Sequence, residues 1–109
     1  MAQVAFDEFK KIEMVVGTIQ SIEDHPNADK LYVMKVDLGE GEPRQLVAGL
    51  KPYYAREALL GKRIVVVTNL APAVLRGVES NGMLLAAQSG DRVIILTTDE
   101  DMPPGSKVL

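Results

Sequence analysis

The sequence contains no cysteine and a single histidine among its 109 residues. The lack of cysteine excludes disulfides, thiolate metal sites and a cysteine nucleophile, and one histidine excludes a two-histidine zinc site. That histidine, His25, is followed by the turn formers Pro26-Asn27-Ala28-Asp29, a weak place to hold a general base rigidly. We therefore interpret His25 as a turn or surface residue. Because glycine-rich phosphate-binding loops are also absent, the sequence predicts no enzyme activity, no cofactor and no metal site.

Long apolar runs and an excess of positive charge are missing as well. No apolar stretch approaches the roughly 18 residues of a membrane span, and residues 1–8 lack the basic start and apolar run of a signal peptide. The 12 Lys and Arg residues against 15 Asp and Glu residues give a net charge of −3. This balance argues against a protein that coats nucleic acid by bulk charge or is held on anionic lipid. We expect a cytoplasmic protein with no membrane partner.

The residues that are present favour strands. Apolar side chains occupy every even position from Tyr32 to Leu38, which is typical of a strand buried on one face. Gly17 lies inside the first strand, where it indicates a bend or a close approach. Pro52 and Gly61 are placed to begin and end one helix over residues 53–60. The predicted strands are 15–23, 32–38, 44–48, 64–68, 83–88 and 93–97, and the apolar runs at 64–68 and 83–88 suggest strands covered on both sides.

Three strands, a short helix and two more strands are the connectivity of the OB-fold, a five-stranded Greek-key barrel. The sequence therefore predicts an all-β domain with its helix between strands 3 and 4. A β-sandwich would not explain the helix, whereas an open α+β sheet would. The chain is long enough for one domain, residues 1–109, with the barrel over about residues 12–90.

Two extensions flank this predicted barrel. Phe6, Phe9 and Ile12 are spaced three apart and predict a helical turn packed against the barrel, with Asp7 as its N-cap. Residues 91–109 exceed what five strands need. Because an extra strand must pack somewhere, we expect this C-terminal extension at the interface of a homodimer.

Two long motifs carry a family resemblance. His25-Pro26-Asn27-Ala28-Asp29-Lys30-Leu31 follows a Val-Gly-Thr-Ile strand, and residues 69–83 (Asn-Leu-Ala-Pro-Ala-Val-Leu-Arg-Gly-Val-Glu-Ser-Asn-Gly-Met) follow a Val-rich strand. Both motifs resemble the EMAP-type tRNA-binding domain, and the likeness extends from about Phe9 to Val108. That family includes the C-terminal domain or β subunit of methionyl-tRNA synthetases and free-standing dimeric tRNA-binding proteins.

The resemblance implies a non-catalytic OB-fold module, homodimeric when it stands alone. Such a module grips tRNA by its shape and backbone and increases the tRNA affinity of a synthetase, so its partners are tRNA and a methionyl-tRNA synthetase catalytic chain. A second hypothesis is a secretion-chaperone-like dimer that binds unfolded peptides, since such proteins share the fold. A third is a dimerisation module of a synthetase complex with no RNA affinity of its own.

Three cations are candidate tRNA contacts. Lys30, Arg44 and Arg76 are expected to converge near the face of strands 2 and 3, where OB-folds bind their ligands. Scarce aromatic residues favour folded RNA, contacted at phosphates and 2′-hydroxyls, over single-stranded DNA. Alternatively, Lys30 is simply solvated or held by Asp29, and Arg76 forms a salt bridge to Glu79.

The second motif supplies three more candidates. The resemblance maps Ser80 and Met83 to tRNA-contacting positions, and Asn69 either caps a turn or offers its amide to RNA. The alternative for Ser80 is a role in the Ser80-Asn81-Gly82 turn alone, and for Met83 it is a place in the core. Members of the family often have a basic residue in the stretch 70–74, where this chain has Ala71 and Ala73. We therefore expect lower affinity and a larger share of binding from Lys30 and Arg76.

Overall fold

The structure, a computed structural model, describes residues 1–109. It is mostly β, as predicted. Neither of its helices has the length or the apolar composition of a membrane-spanning helix. The helices are α1 (Phe6–Phe9) and α2 (Arg56–Leu59). The strands are β1 (Met14–Asp24), β2 (Tyr32–Asp37), β3 (Arg44–Ala48), β4 (Arg63–Val67), β5 (Ala73–Leu75), β6 (Val78–Ser80), β7 (Met83–Leu84), β8 (Ala86–Ser89) and β9 (Arg92–Ile95).

Five antiparallel strands form the barrel in the order β3-β2-β1-β4-β7. Hydrogen bonds between β3 and the end of β6 nearly close it. The Asn81 N–H donates to the Gln45 carbonyl (2.8 Å), and the Val47 N–H donates to the Ser80 hydroxyl (3.0 Å). The predicted OB-fold-like barrel is therefore confirmed, and the open α+β alternative is wrong.

The core lies inside this barrel. The even-numbered side chains from Tyr32 to Leu38 are all buried, as the alternation predicts. A Cβ at Gly17 would lie 2.6 Å from Val36 Cγ1, so the expected close approach is present. The bend comes later, at a register shift between Ile19 and Ser21. Leu59 of α2 is fully buried and fastens the helix to the barrel.

The helices differ from their predicted bounds. Residues 53 and 54 lie before α2, because Tyr54 is tied to two other segments instead. Its carbonyl accepts from the Tyr32 hydroxyl (2.7 Å), and its own hydroxyl accepts from the Ile95 N–H (3.1 Å). At the N-terminus, Ala5 and not Asp7 is the N-cap of α1, and no side chain caps it. None of the α1 residues is buried, so the expected packing of Phe6 and Phe9 inside this chain is wrong.

The last third of the chain shows the largest departures. The predicted strand 83–88 is split at Leu85, because β7 pairs with β4 whereas β8 pairs with β9. All side chains of β8 are exposed, so it is not covered on both sides. The β5–β6 hairpin lies within a motif for which we predicted no strands.

Parts of the C-terminal extension pack on this chain itself. Ile95 of β9 is 8 % exposed and belongs to the core. Residues 105–108 lie along β1, with hydrogen bonds from Gly105 N–H to the Val16 carbonyl (2.7 Å) and from Val108 N–H to the Met14 carbonyl (2.9 Å). Since β2 pairs only with β1 residues 18–24, the start of β1 has a free edge for this tail. Residues beyond the predicted barrel limit at about residue 90 therefore pack on the barrel of the same chain.

Candidate nucleic-acid interface

A tight turn presents Arg76 at the tip of the β5–β6 hairpin. Its two central residues, Arg76 and Gly77, have φ angles of 52° and 90°. Positive φ at both positions marks a type I′ hairpin turn, which favours Asn or Gly at the position that Arg76 holds. An arginine there costs on the order of 1–3 kcal/mol and persists only where its surroundings fix the backbone. The Arg76 side chain is exposed and has no ion-pair partner, so the alternative in which it forms a salt bridge to Glu79 is wrong.

The loop of the first motif packs against this hairpin through His25. The ring is only 6 % exposed, and Nδ1 accepts a hydrogen bond from the Asn27 N–H (2.9 Å). Nε2 therefore carries the proton and donates to the Leu75 carbonyl (2.8 Å), one residue before Arg76. His25 is a turn residue, as predicted, but it is not on the surface.

A groove separates the loop from the hairpin tip. It has a volume of about 390 Å³ and is lined by Asn27, Ala28, Asp29, Lys30, Leu31 and Arg76. Lys30 is exposed and has no ion-pair partner, so the alternative in which Asp29 holds it is wrong. The structure thus brings two of the three predicted cations to one groove and leaves both charges free. We call these residues the Lys30–Arg76 groove.

Arg44, the third predicted cation, lies elsewhere. Ala48 pairs with Tyr32 near the groove, and Arg44 is four residues earlier on β3, or about 13 Å away at the usual strand rise. Its Nη1 donates to the carbonyls of Thr68 (2.6 Å) and Asn81 (3.2 Å), and its Nη2 lies 3.3 Å from a Glu40 carboxylate oxygen. The expected convergence is wrong for Arg44, because its guanidinium braces β3 against the ends of β4 and β6.

Two of the polar candidates also have partners inside the fold. Ser80 is 2 % exposed, and its hydroxyl accepts from the Val47 N–H and donates to the Gly82 carbonyl (2.9 Å). This placement fits the alternative in which Ser80 serves the Ser80-Asn81-Gly82 turn, and it does not fit the expected direct contact with tRNA. The Asn69 amide accepts from the Glu13 N–H (2.9 Å) and donates to the Lys11 carbonyl, which fastens the N-terminal segment to the barrel. Both side chains therefore hold parts of the fold together.

Met83, the last candidate, and Lys35, a lysine that we did not predict, are both exposed. Met83 is 39 % exposed, so its alternative place in the core is wrong. Lys35 is exposed on β2, and its Nζ donates to the Gln45 side-chain oxygen (3.0 Å). The Gln45 amide donates in turn to the Glu79 carbonyl of β6 (2.8 Å). The alternation of strand 2 already placed Lys35 opposite the core face and was the signal for it.

Comparisons with known proteins agree with the resemblance carried by the two motifs. A family model described as "Putative tRNA binding domain" matches residues 14–107. The methionine–tRNA ligase of Pyrococcus furiosus is 57 % identical over 108 residues, which are 99 % of this chain and only 15 % of that ligase.

Solved structures are similar over the whole chain. A MetRS-related protein from Pyrococcus horikoshii has a TM-score of 0.91 at 36 % identity, and the match covers 100 % of both chains. The chaperone CsaA from Bacillus anthracis has a TM-score of 0.89 at 27 % identity and covers 99 % of this chain and 100 % of its own. The chain is thus similar both to a synthetase-related protein and to one described as a chaperone.

Proposed function

This chain belongs to the tRNA-binding domain family, and we propose that it is a non-catalytic module that grips tRNA by shape and backbone. The observation that carries the proposal is the Lys30–Arg76 groove, whose two cations are exposed and free of ion pairs. Unpaired cations on two adjoining loops can contact neighbouring phosphates of one nucleic acid. Each such contact adds affinity because it releases condensed counterions.

The surroundings of the groove favour folded RNA over extended single strands. Proteins that bind single strands without sequence preference use exposed aromatic rings on which successive bases stack. No aromatic residue lines the groove, and Tyr32, the aromatic residue nearest to it in the sequence, is buried. Contacts to phosphate and 2′-hydroxyl groups of a folded RNA do not need such rings.

The biological role we propose is to increase the tRNA affinity of a methionyl-tRNA synthetase. The ligase of P. furiosus contains a similar segment that makes up 15 % of its length. A weak RNA-binding module joined to a catalytic chain raises the effective concentration of tRNA at that chain without touching the reaction. Attachment as a C-terminal domain or as a separate β subunit would have this effect equally.

A homodimer is part of the proposal. The apolar side chains of Phe6, Phe9 and Ile12 are 69 %, 46 % and 48 % exposed, although their spacing is that of a buried face. Ile94 and Leu96 on and after β9 are also exposed, at 47 % and 41 %. Contact with a second copy would cover such surfaces and would give the assembly two grooves for one RNA.

A peptide-binding role is the alternative. It is supported by the similarity to CsaA and by residues 70–74, five consecutive apolar residues that are all exposed. An exposed apolar segment of this kind is a feature of surfaces that bind unfolded chains.

A titration separates the two functions. Purified protein is titrated against several unrelated tRNAs, single-stranded DNA of equal length and an unfolded peptide. We expect the tRNAs to bind within a few-fold of one another, the DNA more weakly and the peptide not at all. Tight peptide binding without tRNA binding would establish the chaperone-like alternative, and a strong preference for one tRNA would contradict binding by shape and backbone.

A further inference from the structure

A single buried ring joins the two segments that carry the free cations. His25 begins the loop that presents Lys30, and its Nε2 reaches the Leu75 carbonyl across 50 residues of sequence. Its Nδ1 holds the Asn27 N–H inside the same loop. Neither contact involves RNA, and the ring is too buried to reach a ligand directly.

The hairpin tip depends on this connection more than an ordinary type I′ turn would. Arg76 has a φ of 52°, a conformation that most side chains disfavour, so the hairpin needs external contacts to keep it. The structure provides them on both sides of Arg76. His25 binds the carbonyl of the preceding residue, and the Asn27 amide donates to the Arg76 carbonyl (3.5 Å).

We propose that His25 is a positioning residue for tRNA binding: its imidazole fixes the hairpin tip against the loop and so sets the spacing of Lys30 and Arg76. This inference rests on the proposed function, because the spacing matters only if both cations meet one RNA. A fixed pair loses less conformational entropy on binding than two independently moving loops.

Two substitutions separate the contacts made by the two ring nitrogens. His25→Asn keeps an oxygen acceptor near the Nδ1 position but cannot reach Leu75, whereas His25→Gln places an amide N–H nearer to the Nε2 position. The first readout needs no RNA: hydrogen exchange of the bonded amides of His25 and Asn27 in the loop and of the paired residues Leu75 and Val78 in the hairpin. We expect His25→Asn to speed exchange in both segments together and His25→Gln to restore part of the protection. Unchanged exchange in His25→Asn would overturn the inference, whether or not the protein binds tRNA.

The second readout is a double-mutant cycle on tRNA affinity. If His25 acts by placing Arg76, His25→Asn should weaken binding by up to about tenfold, and adding it to Arg76→Ala should cost less than about twofold more. The slope of log K against log salt should fall by about one unit in either single variant, because each variant loses about one phosphate contact. The matched control is Lys62→Ala, an exposed cation outside the groove, with which His25→Asn should combine additively.

The outcomes separate the inference from the proposed function. Additive effects of His25→Asn and Arg76→Ala would overturn the positioning role while leaving tRNA binding intact. A wild-type protein that binds no tRNA would overturn the proposed function, and the exchange measurement would still decide whether His25 fixes the hairpin. If both His25 variants fail to fold, the exposed Asn27→Ala, which removes only the contact to the Arg76 carbonyl, replaces them in the cycle, and additivity with Arg76→Ala again overturns the inference.

Discussion

Arg76 combines an unfavourable backbone conformation with a free charge. Its φ of 52° suits asparagine or glycine better, and its exposed guanidinium has no partner in the fold. The contacts from His25 and Asn27 hold this strained backbone but leave the guanidinium unpaired, so an external ligand is the simplest explanation for an arginine at this position. The groove and the strain thus point to the same side chain from independent observations.

Arg76→Asn tests this explanation. Because asparagine tolerates positive φ, the variant should be more stable by up to about 1 kcal/mol, with a melting temperature a few degrees higher. Its tRNA affinity should fall, because the cation is lost. Thermal unfolding and a tRNA titration of the same preparation measure both effects. A less stable variant with wild-type affinity would contradict this account of Arg76.

At the scale of elements, the sequence predicted those strands whose alternation or apolar content reflects a single buried face. The strands β1 to β4 lie within about one residue of their predicted bounds, because Tyr32 to Leu38 and Ile64 to Val67 are patterned by the barrel itself. The β5–β6 hairpin was missed, since Pro72 and exposed short strands leave no clear alternation. The pairing of residues 105–108 with β1 was not predicted. It depends on the free edge at the start of β1, which exists only because β2 pairs with the later part of that strand.

The candidate site was predictable to a similar extent. Sequence motifs located Lys30 and Arg76, and the structure places both on one groove. The structural roles of Arg44 and Asn69 were not predictable, because the partners that define them lie 24 to 58 residues away. The turn role of Ser80 was among the alternatives, but its bond to the Val47 N–H, 33 residues away, was not predictable. Polar residues within a binding motif can serve the ligand or the scaffold, and only long-range hydrogen bonds distinguish the two.

Ser80→Ala tests the scaffold role at the junction of β3 and β6. The variant leaves the buried Val47 N–H without its acceptor, which should cost about 1–3 kcal/mol of unfolding free energy. Well below the melting temperature its tRNA affinity should match the wild type. Denaturant unfolding of this variant is compared with that of Ser89→Ala, an exposed serine of β8. Unchanged stability together with weaker tRNA binding would instead make Ser80 a direct contact.

At the scale of the whole molecule, the net charge of −3 is compatible with an RNA ligand because phosphate contacts need only free cations at one place on the surface. Lys11, Arg44, Lys51 and Arg63 are neutralised by carboxylates within the fold. Lys30 and Arg76 keep their charge at one groove, and phosphate contacts act within a Debye length of ~8 Å at physiological salt. In the proposed function, binding therefore depends on the charges at the groove, and acidic residues beyond that distance are screened.

The proposed homodimer gives a prediction for the assembly. Light scattering at micromolar concentration should yield about twice the 11.9 kDa mass of the chain. Replacing both exposed phenylalanines of α1, as Phe6→Ser with Phe9→Ser, should shift the protein to monomer with little loss of thermal stability, because α1 has no buried residue. A wild-type monomer at this concentration would contradict the dimer, and an unaffected double variant would place the interface away from α1.

The most direct test of the Lys30–Arg76 groove is the salt dependence of tRNA affinity. Dissociation constants are measured from low to physiological salt for the wild type, Lys30→Ala, Arg76→Ala and the control Lys62→Ala. We predict that each groove variant loses up to about tenfold in affinity and about one unit of the slope of log K against log salt, whereas Lys62→Ala keeps both. Equal losses in all three variants, or no loss in either groove variant while tRNA still binds, would contradict the assignment of the groove as the tRNA-binding site.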